Sequence, residues 1–315
     1  MIRDKWQTIK VILNPYAGRG SAARNELNIC QALNRANVRF DLAKTTSVGH
    51  AIDLARQARL EGYHTLAVAG GDGTVSEVVN GLAQVTPSQE QVGTLAILPM
   101  GSGNDFANTV GCPIHLNAAA EAIAKGQTRC VDLGHIKLRV GTQEWQRYFN
   151  NNLGAGFEGQ LAQEIKTIKH LRGILIYIAA VCKALCHYTQ PLVELNWQTP
   201  TGEKKTILKK VLMLSVGNSD RNGGGFHVTP QALLDDGLLD LAIGEAMPWY
   251  QILALLPKVI RGTHTNHPKI MIHQCCKIGI VCKDTLPVHA DGELLTINAD
   301  ALDIEIQPQR LKVII

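Results

Sequence analysis

The sequence predicts an α/β N-terminal domain, a parallel sheet with helices on both faces, followed by a C-terminal, mainly antiparallel β-sandwich domain. Three observations carry this. Short aliphatic strands alternate with amphipathic helices through the first 130 residues, the pattern of a helix-covered parallel sheet. Glycine-rich turns directly follow three of those strands. From about residue 131 the texture changes to period-2 strands separated by Gly, Asn and Asp, as in a sandwich.

In the first half, residues 10–14, 39–44, 65–69 and 94–98 read as strands rich in Val, Ile and Leu. Ala51, Leu54, Ala55 and Ala58 fall on one helical face, with Ser47 as the expected cap. Residues 21–34 and 116–125 form similar helical stretches. In the second half, strands are expected at 130–138, 192–197, 210–216, 238–243, 277–283 and 301–306. Helical stretches interrupt them near 158–187 and 248–261. The domains divide as 1–130 and 131–307, with a final strand at about 308–315 expected to return to the first.

The 315 residues are 45% hydrophobic, enough for two cores. Charged residues make up 18%, the net charge is +4, and no stretch gathers five Lys or Arg. That excludes a nucleic-acid-binding footprint; a mild positive excess suits transient contact with an anionic membrane surface, or is ordinary fluctuation. The start shows no export segment. The apolar run 173–186 is too short to span a bilayer and contains Lys183. Eight cysteines without a CxxC pair fit reduced thiols in a cytoplasmic protein. Cys182, Cys186 and His187 read as helix packing rather than a metal site, because no fourth ligand is evident.

Ligands of parallel sheets bind beyond the carboxyl ends of the strands. That edge carries Asn14-Pro15-Tyr16-Ala17-Gly18, the turn Gly70-Gly71-Asp72-Gly73-Thr74, and Gly101-Ser102-Gly103-Asn104-Asp105. Glycines let a phosphate approach the chain, and N–H groups at a helix start hold its oxygens. Asp72 adds a carboxylate near Mg²⁺ or its water. A plain strand-to-helix turn is the alternative. Asn104 and Asp105 either line the same cleft or cap the next helix. Gly18-x-Gly20-x-x-Ala23 with Asp41 outlines a dinucleotide fingerprint, yet Asn14-Pro15 displaces its turn and leaves GGDGT unexplained. Walker and protein-kinase motifs are absent.

Further on, Val216-Gly217-Asn218 leads through Gly223-Gly224-Gly225 to Asp235-Asp236-Gly237-Leu238. Its carboxylate and carbonyls either offer hard oxygen ligands for Mg²⁺ or form a surface turn. Asp291, beside Gly292, either projects into a cleft or sits in another turn. Trp249, Tyr250, Ile252, Leu253, Leu255 and Leu256, followed by Lys258 and Arg261, make either an interfacial helix or a helix packed on the sandwich.

At these residues the chain resembles the bacterial diacylglycerol kinase catalytic-domain family, relatives of sphingosine kinases and more distantly of NAD kinases. NPYAG, GGDGTVSEVVNGL, LPMGSGNDFA, GNSDRNGGGFHVTPQALLDDGLLD and DGE carry the resemblance over nearly the whole chain. It implies an ATP-binding domain, a lipid-substrate domain and ATP in the cleft between them. By motif, Asn14, Thr45, Gly70, Gly71, Asp72, Gly73, Thr74, Val75, Ser76, Glu77, Val78 and Ser102 would contact ATP. Asp236 would bind Mg²⁺, aided by the carbonyls of Leu233 and Leu238, and Asp291 would be the general base. Glu77 and Asn80 fit the motif through ATP contact or through helix packing. The family's usual Gly-Thr is here Gly101-Ser102, which keeps the hydroxyl. The implied activity is ATP- and Mg²⁺-dependent phosphorylation of a lipid hydroxyl by a peripherally membrane-associated kinase, diacylglycerol leading. Sphingoid bases, monoacylglycerol, phosphatidylglycerol or a soluble substrate such as NAD are alternatives, as is a nucleotide-binding regulator without catalysis. The sequence is compatible with a homodimer and does not decide it.

Overall fold

The computed structural model describes residues 8–168, 174–221 and 226–315; the Gly223-Gly224-Gly225 turn and the first residue of the apolar run 173–186 lie outside them. The chain divides into two compact units, residues 1–133 with 307–315, and residues 134–306.

The first unit is built on strands β1 (Ile9–Leu13), β2 (Phe40–Lys44), β3 (Thr65–Gly70) and β4 (Thr94–Pro99). They pair in parallel in the order β2-β1-β3-β4. The end of β15 (Ala301–Ile314) adds a further parallel partner to β4 through Lys312 and Val313. Helices α1 (Ala17–Arg24), α2 (Glu26–Arg35), α3 (His50–Leu60), α4 (Asp72–Ala83), α5 (Asp105–Val110) and α6 (Leu116–Lys125) connect the strands. One sheet face packs Val11, Leu13, Ala67 and Leu98 against Ile29, Leu33 and Ile123. Ile12, Leu66 and Val68 are equally buried, as continuous apolar strands must be when both faces are covered. Helices α3 and α4 lie close together. A Cβ on Gly81 would sit 2.3 Å from the Ile52 carbonyl.

Two local expectations are corrected. The single helix expected at 21–34 is two, divided at Asn25, whose φ of −96° and ψ of 4° depart from helical values. Ser47 does not cap α3. Gly49 does, with a left-handed φ of 83° that suits glycine.

The second unit contains β5 (Thr128–Val140), whose first residues belong to the first unit, β6 (Gln143–Phe149), β7 (Asn152–Gly156), β8 (Leu192–Gln198), β9 (Lys204–Gly217), β10 (Leu239–Glu245), β11 (Ile270–Cys275), β12 (Lys277–Cys282), β13 (Val288–Ala290) and β14 (Glu293–Thr296). Their pairings are antiparallel. The long β9 joins two layers: Lys204–Lys210 pairs with β8, and Val211–Gly217 with β7 and β10. Between the layers lie Phe149, Leu195, Trp197, Leu214, Leu241 and Ile280. The expected helical stretch 158–187 is two helices, α7 (Phe157–Thr167) and α8 (Ile174–His187). With α9 (Trp249–Ile260) they bury a second, smaller core of Phe157, Val181, Leu212, Ile252 and Leu255.

Candidate functional site

In the first unit the three glycine-rich turns meet. A Cβ on Gly18 would stand 2.4 Å from the Met100 carbonyl, and one on Gly71 2.9 Å from Gly101 Cα. Only glycine permits such contacts between loops. Gly18, Arg19 and Gly20 all have positive φ, 57°, 59° and 80°, so the residues resembling a dinucleotide fingerprint form a left-handed turn rather than opening a regular helix. Asn14 Nδ2 donates to Thr74 Oγ1 at 2.9 Å. Its own Oδ1 accepts the Tyr16 N–H. Thr45 is buried at the end of β2, its N–H bonded to the Leu13 carbonyl.

Helix α4 begins at Gly71 with no side-chain cap, so its first N–H groups are offered to an incoming anion. Asp72 Oδ1 accepts the Phe106 N–H at 3.1 Å, tying the GGDGT turn to the start of α5. Asn104 folds back to Gly101 through two hydrogen bonds of 3.0 and 3.1 Å. Gly70 is buried, Gly71 and Asp72 are partly exposed, and Gly73 and Ser102 are exposed. The side chains of Thr74, Val75, Ser76 and Val78 are buried; any contact that the last three make with a nucleotide must run through the main chain. Glu77 is committed elsewhere. Its two carboxylate oxygens accept the N–H groups of Gly49 and Ala51 at the start of α3.

In the second unit Asp291 lies in the turn between β13 and β14 with a φ of 47°, followed by Gly292 at 79°. Left-handed aspartate is uncommon and marks a position held by its surroundings. Here the holders are three main-chain N–H groups. Asn150 donates to Oδ2 at 3.0 Å; Asn151 and Asn152 donate to Oδ1 at 2.8 and 3.1 Å. Nearby, Arg147 pairs with Glu293.

Asp236 Oδ1 accepts the Leu238 N–H at 3.0 Å around left-handed Gly237. Asp240, buried on β10, has its carboxyl pushed up to about 6, first by burial and then by the Asp236 charge. Among the described residues no three His, Cys, Asp or Glu side chains gather to hold a metal, so an ion there must use main-chain oxygens. The donor set fits a hard cation: a carboxylate in a tight turn beside carbonyls, and excess negative charge to neutralise.

Sequence reasoning did not find the cavity beneath α7, α8 and α9, about 310 Å³ in volume. Its walls are apolar, including Leu161, Val181, Leu212, Ile252 and Leu255, while Asn152, Glu158, His289 and Gly292 bring a polar end next to Asp291. The available signal was the GAGFEG segment. A Cβ on Gly154 would collide with Glu158 and His289, and one on Gly159 would stand 2.3 Å from the Pro287 carbonyl.

Comparison with known proteins agrees with this construction. Residues 8–136 match the family described as diacylglycerol kinase catalytic domain. Residues 151–315 match the YegS C-terminal NAD kinase beta sandwich-like domain. A diacylglycerol kinase of Staphylococcus aureus (strain bovine RF122 / ET3-1) is 30% identical over 286 residues, 90% of this chain and 85% of the relative. That of Bacillus subtilis (strain 168) is 26% identical over 286 residues, 90% and 89% of the two chains. A solved structure from Bacillus anthracis str. Sterne superposes with a TM-score of 0.76 at 25% identity, covering 99% of this chain and 98% of that one. Yeast NADH kinase, TM-score 0.52 at 11% identity over 99% of this chain and 84% of that one, shares the fold alone.

The match to the diacylglycerol kinase catalytic domain, together with relatives of that name over 90% of the chain, places it in the class of lipid kinases. The chain belongs to the diacylglycerol kinase catalytic-domain family.

Proposed function

We propose that the chain transfers the γ-phosphoryl group of ATP to a hydroxyl of a membrane lipid. The observation that carries this reading is the apolar cavity of the second unit, whose polar end includes Gly292, the residue after Asp291. A soluble acceptor such as NAD has no use for such walls, whereas an acyl chain seated there brings a headgroup hydroxyl toward Asp291. The relatives' names make diacylglycerol the first lipid to test.

In this reading the exposed turns at Asn14, Gly71–Gly73 and Ser102 bind the nucleotide phosphates with the α4 N-terminus. A lipid alcohol is far less acidic than a carboxylic acid, so Asp291 does not deprotonate it beforehand. It orients the hydroxyl and accepts the proton as the oxygen–phosphorus bond forms. The three N–H groups that clamp its carboxylate set that orientation. Asp236 with the Leu233 and Leu238 carbonyls would hold Mg²⁺, which supplies charge neutralisation and braces the turn. Most of the acceleration comes from positioning and electrostatics. The protein visits the membrane through α9, whose residues Ile252, Leu255 and Leu256 line the cavity while Trp249 and Tyr250 are exposed.

The test is incubation with [γ-³²P]ATP, Mg²⁺ and a total lipid extract, followed by separation of labelled products. A labelled phospholipid is expected. Asp291→Asn is expected to lower its formation by roughly 10²–10⁴-fold while ATP still binds. Near-native turnover in that variant removes the base assignment, and label only in water-soluble products removes the lipid.

A further inference from the structure

Glu158 is the acidic group of the cavity lining, and phosphoryl transfer leaves it unused. It begins α7, lines the cavity and is 11% exposed in its side chain. Its two oxygens are served very differently. Oε2 lies 3.3 Å from His289 Nε2, 3.3 Å from Ser215 Oγ and 3.4 Å from Asn152 Nδ2. The Gly292 N–H donates to His289 Nδ1 at 3.3 Å. Nδ1 is therefore the acceptor, and Nε2 carries the proton that faces Glu158. Three donors hold one oxygen. Oε1 is buried and has no hydrogen-bond partner. Native interiors seldom leave such an acceptor unmet, and Glu158 is one of the residues that line the cavity.

We propose that Glu158 Oε1 accepts a hydrogen bond from a second donor on the lipid. The preferred substrate is then a single-chain amphiphile with a hydroxyl or amine beside the hydroxyl that is phosphorylated. This rests on the lipid-kinase reading and narrows its substrate. Diacylglycerol carries one hydroxyl, which Asp291 takes, and otherwise only ester oxygens, which would face Oε1 as acceptor against acceptor. A 1-monoacylglycerol supplies a second hydroxyl, and a long-chain 2-amino-1,3-diol supplies an ammonium. The volume of about 310 Å³, at the low end of the roughly 300–1,000 Å³ of ligand pockets, suits one chain better than two.

The test compares kcat/KM for these three lipids in mixed micelles, for wild type and Glu158→Gln, with [γ-³²P]ATP. In the variant the amide oxygen is drawn to the three donors and the NH₂ replaces Oε1, turning an acceptor into a donor. Wild type is expected to prefer a lipid with the second donor over diacylglycerol by at least about tenfold, and the variant to lose about tenfold of that ratio. Preference for the monoacylglycerol assigns the donor as a hydroxyl, while preference for the aminodiol, which carries an ammonium and a further hydroxyl, supports the second donor in either form. A wild-type ratio of one or below overturns the proposal even if the variant does not fold. Equal loss on all three lipids also overturns it, leaving Glu158 a structural residue. A wild type that binds an ATP analogue yet phosphorylates no lipid removes the lipid-kinase reading, and this proposal with it.

Discussion

Single carboxylates in this chain do two jobs or one, and their hydrogen bonds tell which. Asp72 ties its turn to α5 through one oxygen and keeps a partly exposed position where the glycine-rich turns meet. Glu77 uses both oxygens to hold the start of α3. Removing it as Glu77→Ala strands two N–H groups, so about 0.5–2 kcal/mol of stability should be lost, the scale of a helix cap. Chemical denaturation measures this. The KM for ATP should change little; a raised KM at unchanged stability would instead make Glu77 a nucleotide ligand. The motif alone left those roles undivided, because sequence order placed Glu77 beside GGDGT but said nothing of Gly49 and Ala51. Glu158 was less visible still. Its partners Ser215 and His289 are far apart in sequence, and only folding assembles them.

Among elements, the strands of the first unit were readable because fully buried parallel strands are continuous aliphatic runs between glycine punctuation. In the second unit β6, β7 and β11 were not. Gln143–Phe149 is polar and only its last residue is buried, and β7 reads NLGAG, with Gly154 required by the crowding of Glu158 and His289 and Gly156 by Tyr188, the Leu212 carbonyl and a φ of 82° rather than by strand propensity. Helix α9 posed the choice between membrane and core, and the structure answers with a division of faces. Ile252 and Leu255 are buried, while Trp249 and Tyr250 are 62% and 57% exposed. Among the described residues no helix is long and apolar enough to cross a membrane, and the proposed membrane contact of α9 would be made through its exposed Trp249 and Tyr250. Trp249→Ser with Tyr250→Ser should weaken flotation with anionic vesicles by about tenfold per residue, at roughly 1.5 kcal/mol for each apolar side chain withdrawn. Activity on a short-chain, water-dispersed lipid should persist. Undiminished flotation would detach α9 from membrane contact.

At the scale of the whole molecule, stability responds to pH through histidines that the fold keeps neutral. Burial lowers His264, the largest cause, against weaker hydrogen bonds to the Val228 and Lys258 carbonyls. It also lowers His273, with the Lys205 charge acting in the same direction, and His64, with Arg59. Each folded-state value lies below the ordinary 6.5. As pH falls through 6.5, the unfolded chain binds protons that the folded chain refuses, so stability falls with pH. Asp240 works in the opposite sense but at lower pH. With its carboxyl at about 6 against 3.8 unfolded, it loses stability as pH rises between those values and is silent above them. Between about pH 7.5 and pH 6 the histidines therefore set the slope. Differential scanning calorimetry should show Tm falling over that interval. His264→Gln, which can keep a donor on the Val228 carbonyl bonded by His264 Nε2 at 2.9 Å, should flatten the fall. A Tm that rises as the buffer is acidified through this window would mean that these rings are protonated in the folded protein, against the burial that the fold imposes on them.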